Sequence, residues 1–385
     1  MNVEIWNSFT TEDDTNQPCR TRCGYQPNEA LRSLQKTLSE SGSASTARAI
    51  HLAADIVCSG GLDALFRLLW EYALTHVGLA SPRIFVYLSQ RIKEVDGLLK
   101  TLPDEMAYSN ETFQIRVGEM VIVLRDAPTQ TILPWPKVGQ ETHTESWIRA
   151  VAIDPLTETA VLKRVWQSGA DNNILRIAGG NLCKAVMDGS TERSLFWVKW
   201  LLDHEALVQK AHHGAALSTL ERGPPTVGTR QRKHVSYYIL QLFGEMYKEF
   251  AAKQMIRMNE EFGTLVGLWA MPPKGLGASA RRQILTILAQ VLTEVPKWKV
   301  PAAPALIKDP LQLSNIVKTV PRFFQEVLAY DPPKKAAEIQ KALKSKNAPK
   351  AKAKAVAPGA AGGPMTQMEA YEKAMEAYLT GSGKK

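Results

Sequence analysis

The stretch AIHLAADIVCSGGLDALFRLLWEYALTHVGLASPRI, residues 49–84, decides the fold class. Ile50, Ala53, Ala54, Val57 and Cys58 recur at helical spacing and so share one face of a helix. Ser59-Gly60-Gly61 ends that helix, because glycine takes the left-handed cap conformation at no steric cost. Leu62, Leu65, Phe66, Leu69, Trp70, Ala73 and Val77 then trace a second apolar stripe, interrupted from Gly78 to Pro82. A third helix is predicted from about Ser81 to Leu99, carrying Ile84, Leu88, Ile92 and Val95.

The same periodicity extends outward. Residues 1–27 are polar and broken by Pro18, Gly24 and Pro27, so an irregular arm is expected before a helical pattern starts at Asn28. Phe113–Leu124, FQIRVGEMVIVL, reads as a strand by its β-branched content, or as a helix with Phe113, Val117, Met120, Val121 and Leu124 on one face. Residues 128–146, rich in Pro and Thr, read as a linker, and helices are predicted over 145–168 and 173–187. Val235, Tyr238, Ile239, Leu242, Phe243, Met246 and Phe250 form another stripe, as do Ile284, Ile287, Leu288, Val291, Leu292 and Val295. A last helix is expected over 311–330, stopped by Pro332-Pro333.

Length and composition bound what such a chain can be. Its 385 residues suffice for two domains with additional segments. No apolar run approaches the roughly 20 residues that cross a bilayer, and the acidic start, Met1 to Asp14, lacks the pattern of a secretory leader. Four cysteines in so long a chain do not make a disulfide framework, which points to a reducing compartment (cytoplasm or nucleus), or to a virion. The net charge of +9 is concentrated: Lys334–Lys385 contains eleven Lys and four Glu, leaving a nearly neutral body.

Two internal similarities suggest a repeat. Ser45-Thr46-Ala47-Arg48-Ala49-Ile50 resembles Ser190-Thr191-Glu192-Arg193-Ser194-Leu195, each opening a helix with a Ser/Thr cap, and VIVLRDAP at 121–128 resembles AQVLTEVP at 289–296. One insertion, the Gly/Pro/basic stretch Ala211–Lys233, reconciles the two registers. Duplication is one reading of this pattern; the spacing shared by any two helical bundles is the other.

Residues 28–135 also resemble the C-terminal helical region of the clamp-loader-like AAA+ ATPases of replication-associated recombination. Gly78, Leu79, Ala80 and Pro82 match one element of that region, and Ala127 and Pro128 match another. Thr75 and His76 replace the family's acidic pair, and His51 replaces the aromatic of its first helix. The resemblance implies a collar-type helical fold that mediates oligomerisation, and it favours helix over strand for residues 110–127. The expected fold is therefore mostly α. Two collar-like helical-bundle modules, 28–135 and 186–330 (with a basic loop at 211–233), flank connecting helices at 136–185. A disordered Lys/Ala/Pro-rich tail, 331–364, and a short amphipathic helix, 365–385, follow.

The ATPase module has no counterpart. A phosphate loop needs a strand, G-x-x-x-x-G-K-[ST] and a helix, so that backbone amides and the Lys hold the phosphates. The nearest string, GPPTVGTRQRK at 223–233, places Thr229 where the Lys belongs. Cys19 and Cys23 have no neighbouring second pair to complete a zinc site, Cys58 lies on a core stripe and Cys183 is isolated. His212 and His213, with His204, offer at most a loose metal site. No nucleophile elbow, H-E-x-x-H or paired-carboxylate motif occurs, so no enzyme, cofactor or metal is expected.

Binding chemistry is better represented. Arg230, Arg232 and Lys233 precede a helix N-terminus, where the dipole also favours an anion. Trp197, Trp200, Tyr237, Tyr238 and Trp269 are there to stack bases or to fill the core. Lys334, Lys335, Lys341, Lys344, Lys346, Lys350, Lys352 and Lys354 alternate with Ala and Pro, a composition that neutralises phosphates without reading sequence. Met368, Tyr371, Met375, Tyr378 and Leu379 form an apolar stripe suited to docking a protein partner. The expectation is a non-enzymatic, homo-oligomeric accessory of DNA replication or repair, bound to DNA in preference to RNA and to no membrane. The alternative is a structural subunit of a nucleoprotein particle or viral capsid.

Overall fold

The computed structural model describes residues 20–102, 104–152, 159–294, 303 and 305–330. The chain is mostly helical, and among the described residues the only β-type pairing is one isolated antiparallel bridge, Asp171 with Ser218. The helices in chain order are α1 (Pro27–Leu38), α2 (Ser43–Cys58), α3 (Leu62–Tyr72), α4 (Arg83–Thr101), α5 (Asp104–Ala107), α6 (Glu111–Asp126), α7 (Glu145–Ala150) and α8 (Ala160–Val165). They continue with α9 (Asn173–Met187), α10 (Thr191–Ala211), α11 (Thr229–Arg232), α12 (Val235–Ala252), α13 (Asn259–Ala270), α14 (Ala278–Thr293), α15 (Pro310–Val317) and α16 (Val320–Leu328). No helix among the described residues is long and apolar enough to cross a membrane.

The chain divides into two compact units that interleave along the sequence. One comprises the described residues of Met1–Leu69, Arg91–Asp126 and Asp309–Lys385, and the other those of Trp70–Gln90 and Ala127–Lys308. Successive modules at 28–135 and 186–330 are therefore not the units the chain forms. Helices α15 and α16 pack on α6, and α16 also on α2, far from them in sequence.

In the first unit α2 and α6 are buried around most of their circumference, which is why both read as apolar on more than one face. Helix α1 covers α2 with Ala30, Leu31, Leu34 and Leu38. Val320, Phe324 and Val327 recur along one face of α16, and Phe324 meets Phe113 of α6 edge-to-face at 6.5 Å. Gly118 permits this approach, since a Cβ there would lie 2.5 Å from both Val320 methyls. The helix expected over 311–330 is thus two helices. Pro321 lacks an N–H and occupies the first turn of α16, where none is needed. The 113–124 stretch is helical, within α6, and not a strand.

The second unit is built around α14, buried continuously from Gln283 to Thr293 and contacted by α9, α10, α12 and α13. After α3 the chain makes one π-helical turn, Ala73–Val77, and a 3-10 turn, Gly78–Ala80. Gly78 is required there: its φ is +50°, and a Cβ would lie 2.1 Å from Gln130 Nε2. The supposed linker at 128–146 is a strap on this unit, because Trp135 Nε1–H donates to the buried Thr286 hydroxyl at 2.7 Å and Trp200 Nε1–H donates to Thr142 O at 3.1 Å. The helix expected over 145–168 is interrupted. Helix α7 stops at Ala150, and the Thr159 hydroxyl caps α8 by accepting from Leu162 N–H. Helix α13, whose glycines dilute its stripe, is an element the periodicity does not predict.

Each unit contains an adjacent helix pair, α1–α2 or α9–α10, whose second member packs on the central helix α6 or α14. The two compared openings differ locally. Ser190 caps α10, whereas Gly42 caps α2 and the Ser45 hydroxyl donates back to Gly42 O.

Candidate functional site

The basic loop 211–233 carries the most densely connected polar cluster of the second unit. Arg222 and Asp171 form a bidentate ion pair, with Nη1 on Oδ1 at 2.9 Å and Nη2 on Oδ2 at 2.5 Å, and their side chains are 8% and 0% exposed. Each remaining group of the pair is occupied. Arg222 Nε–H donates to Gln241 Oε1, Nη2 also reaches Val165 O, and the guanidinium lies 5.1 Å over the Tyr238 ring. Asp171 also accepts from the Ser218 hydroxyl and Gln167 N–H. Burial pushes the Asp171 carboxyl up, but the Arg222, Ser218 and Gln167 hydrogen bonds outweigh it and hold the carboxyl below its ordinary value. The cluster fastens the loop to α8, to α12 and to the turn that precedes α9.

Beside it lies a groove of about 630 Å³, walled by Leu220, Arg222, Pro224, Tyr237, Gln241 and Val266 among others. Gly223 stands where a Cβ would come within 2.9 Å of both the Arg232 backbone and the Tyr237 ring. Of the five aromatics proposed for stacking, Trp197, Trp200, Tyr238 and Trp269 are buried, and only Tyr237 is part-exposed on the groove.

The three predicted cations have different surroundings. Arg232 is paired with Glu221 at 2.9 Å and with the Thr229 hydroxyl, while its carbonyl accepts from the backbone of Arg222 and Gly223. Arg230 is exposed and Lys233 is half-buried. The N-terminus of α12 already holds an anion. Val235 N–H donates to Glu205 Oε2 at 2.8 Å, and His234 Nε2 lies 3.3 Å from the same oxygen. Burial pushes the Glu205 carboxyl up, opposed by His234 and by backbone N–H groups. Lys334 to Lys354 and the stripe from Met368 to Leu379 lie outside the described residues.

His204 does not join His212 and His213. It is buried, stacks on Trp200 at 4.7 Å and places Nδ1 3.2 Å from His143 Nδ1. One of those nitrogens donates and the other accepts, so burial and the neighbouring imidazole hold the His204 pKa down at about 4. Among the described residues no group of three or more His, Cys, Asp or Glu is arranged for a metal.

Sequence reasoning missed two constellations. Asp171 and Arg222 are far apart in the chain and share no local motif. Cys23, His51 and Asp55 lie together in the first unit, and only the helical spacing of His51 and Asp55 was visible. No family model, curated protein or solved structure matches the chain.

Proposed function

We propose that the protein is a non-enzymatic, nucleic-acid-associated accessory of DNA replication or repair. Its helical units act as an oligomerising scaffold similar to the clamp-loader collar, and its Lys-rich C-terminal segment binds the phosphates. The observation that carries this reading is the distribution of charge. Several buried or part-buried arginines of the described residues pair with carboxylates, as in Arg222–Asp171, Arg91–Glu119 and Arg116–Glu119. By contrast, eight lysines between Lys334 and Lys354 are accompanied by a single acid, Glu338. Cations in a segment so poor in acids are suited to neutralise a phosphate backbone and release its counterions. Arg230 and Lys233 would add a second, smaller phosphate-binding patch beside Tyr237, and Met368–Leu379 would dock a protein partner.

The test is a salt series of DNA affinity for the full chain and for a full-length variant with those eight lysines changed to Gln. The slope of log K against log salt should flatten by about 0.9 for each duplex phosphate that the variant no longer neutralises. An unchanged slope would move the interface to Arg230 and Lys233.

A second reading, a subunit of a nucleoprotein particle, is favoured by α15. That helix has no buried residue, and Leu311 on it is 79% exposed. Such a helix suits exchange between subunits. Sedimentation would separate the readings: defined large particles with nucleic acid support the subunit, and small oligomers support the accessory.

A further inference from the structure

We propose that Cys23 is a thiol-modification site, activated by His51, that undergoes exchange with small disulfides. Cys23 Sγ lies 3.6 Å from His51 Nε2, so thiol and imidazole share one proton. The position is fixed by backbone rather than by chance contact. Arg22 N–H donates to the Ser59 hydroxyl at 2.9 Å, Arg22 Nε–H donates to Cys58 O at 3.2 Å, and Cys23 N–H donates to Asp55 Oδ1 at 2.9 Å. These bonds lay residues 22–23 against the last turns of α2, where Asp55 lies one turn from His51.

A second observation points the same way. Asp55 is fully buried, and its Oδ2 has no hydrogen-bond partner. A buried carboxyl group with one oxygen left without a hydrogen bond is costly unless it serves a neighbouring charge. Here the neighbour is an imidazole one helical turn away, which becomes cationic when it takes the thiol proton. Burial outweighs the raising effect of Asp55 and Glu326, so the His51 pKa is lowered and the ring is neutral and able to accept a proton. Tyr330 also faces the site, close to Cys23 and Asp55.

The other described cysteines provide the contrast. Burial pushes the thiols of Cys58 and Cys183 up to about 12, which leaves them without thiolate at neutral pH. Cys23 is part-exposed. In the exchange the Cys23 proton passes to His51 Nε2, and the sulfur bonds one sulfur of the disulfide. The other sulfur leaves as a thiolate and recovers that proton as a free thiol. Electrons balance, because the incoming disulfide is the oxidant.

The experiment uses the full chain with Cys19→Ser and the chromogenic aromatic disulfide dithiobis(nitrobenzoate). One thiol should react rapidly, mapped by peptide mass to Cys23, with Cys58 and Cys183 reacting only after unfolding. The rate should stay high below the ordinary thiol range, with its inflection under about pH 8.5. His51→Gln should slow Cys23 by about tenfold at pH 7 and return the inflection to that of an ordinary thiol. The pH profile of the native histidine protein decides the matter even if the variant folds poorly. An inflection at or above about 8.5 in that protein, or Cys58 reacting first, overturns the proposal.

Discussion

Replacing Arg222 with Met is expected to release the 217–222 segment of the basic loop. The change removes the guanidinium from a carboxylate that is 0% exposed, and keeps most of the side-chain volume against Tyr238. Breaking a buried pair from one side costs about 3–5 kcal/mol, because the remaining charge is left in low dielectric. Asp171 would keep the Ser218 hydroxyl and Gln167 N–H, so the lower end of that range applies. About 3 kcal/mol corresponds to roughly 100-fold in the local opening equilibrium. Hydrogen exchange reads this directly at two amides, Asn172 N–H on Leu217 O and Thr219 N–H on Ala170 O, which hold the bridge beside the pair. Both should exchange roughly 100-fold faster in the variant, and the double change Asp171→Leu with Arg222→Met should recover much of the protection. The native pair also has a defined pH response. The folded Asp171 pKa lies below its unfolded value, so its contribution is complete above the unfolded pKa and is lost as pH falls through the folded one. Unchanged exchange at Asn172 and Thr219 in Arg222→Met would refute the reasoning.

Three further outcomes follow from the packing. Gly118→Ala should destabilise the first unit by about 1–3 kcal/mol, since the new methyl collides with both Val320 methyls, and adding Val320→Ala should restore most of the loss in urea unfolding. Trp135→Phe should cost about 1 kcal/mol through removal of the bond to Thr286, measured by the same unfolding curve. The folded His204 pKa, near 4, lies below its unfolded value of 6.5, so its contribution is present above 6.5 and is lost as pH falls between 6.5 and 4. Glu205, with its pKa raised, contributes the opposite slope above 4.5. His204→Asn should therefore flatten the acid side of the stability–pH profile of the second unit, and an unchanged acid limb would count against a neutral buried His204.

The helices were legible because their stripes were. Ile50, Val57, Leu65, Leu69, Val235, Leu242, Ile284 and Leu288 fell on faces that are buried. Boundaries failed where a single residue redirects the chain. Pro321 opens a new helix inside an expected one, and Thr159 caps α8 inside another. The grouping of helices failed for a different reason. Periodicity says which face of α16 is apolar, not that Gly118 of α6, some two hundred residues earlier, leaves room for Val320. Candidate sites were harder still, since Asp171 with Arg222 and Cys23 with His51 meet only through tertiary packing.

Charge pairing connects the fold to the proposed function. Arg232 looks like a phosphate ligand in the sequence, but it is paired with Glu221, and a phosphate must displace that carboxylate to use it. The same holds at the start of α12, where the Val235 amide is turned on Glu205 and the Ser236 amide on His234 Nδ1. Any anion binding there carries the cost of freeing a buried carboxylate, which already has one oxygen without a hydrogen-bond partner. Lysines 334–354 face no such competition within their own segment, where Glu338 is the only acid. A cation whose alternative partner is water gains the whole counterion-release term on meeting phosphate, whereas one that must first leave a carboxylate gains only the difference. That asymmetry is the reason the C-terminal lysines are proposed, ahead of the basic loop, as the phosphate-binding element.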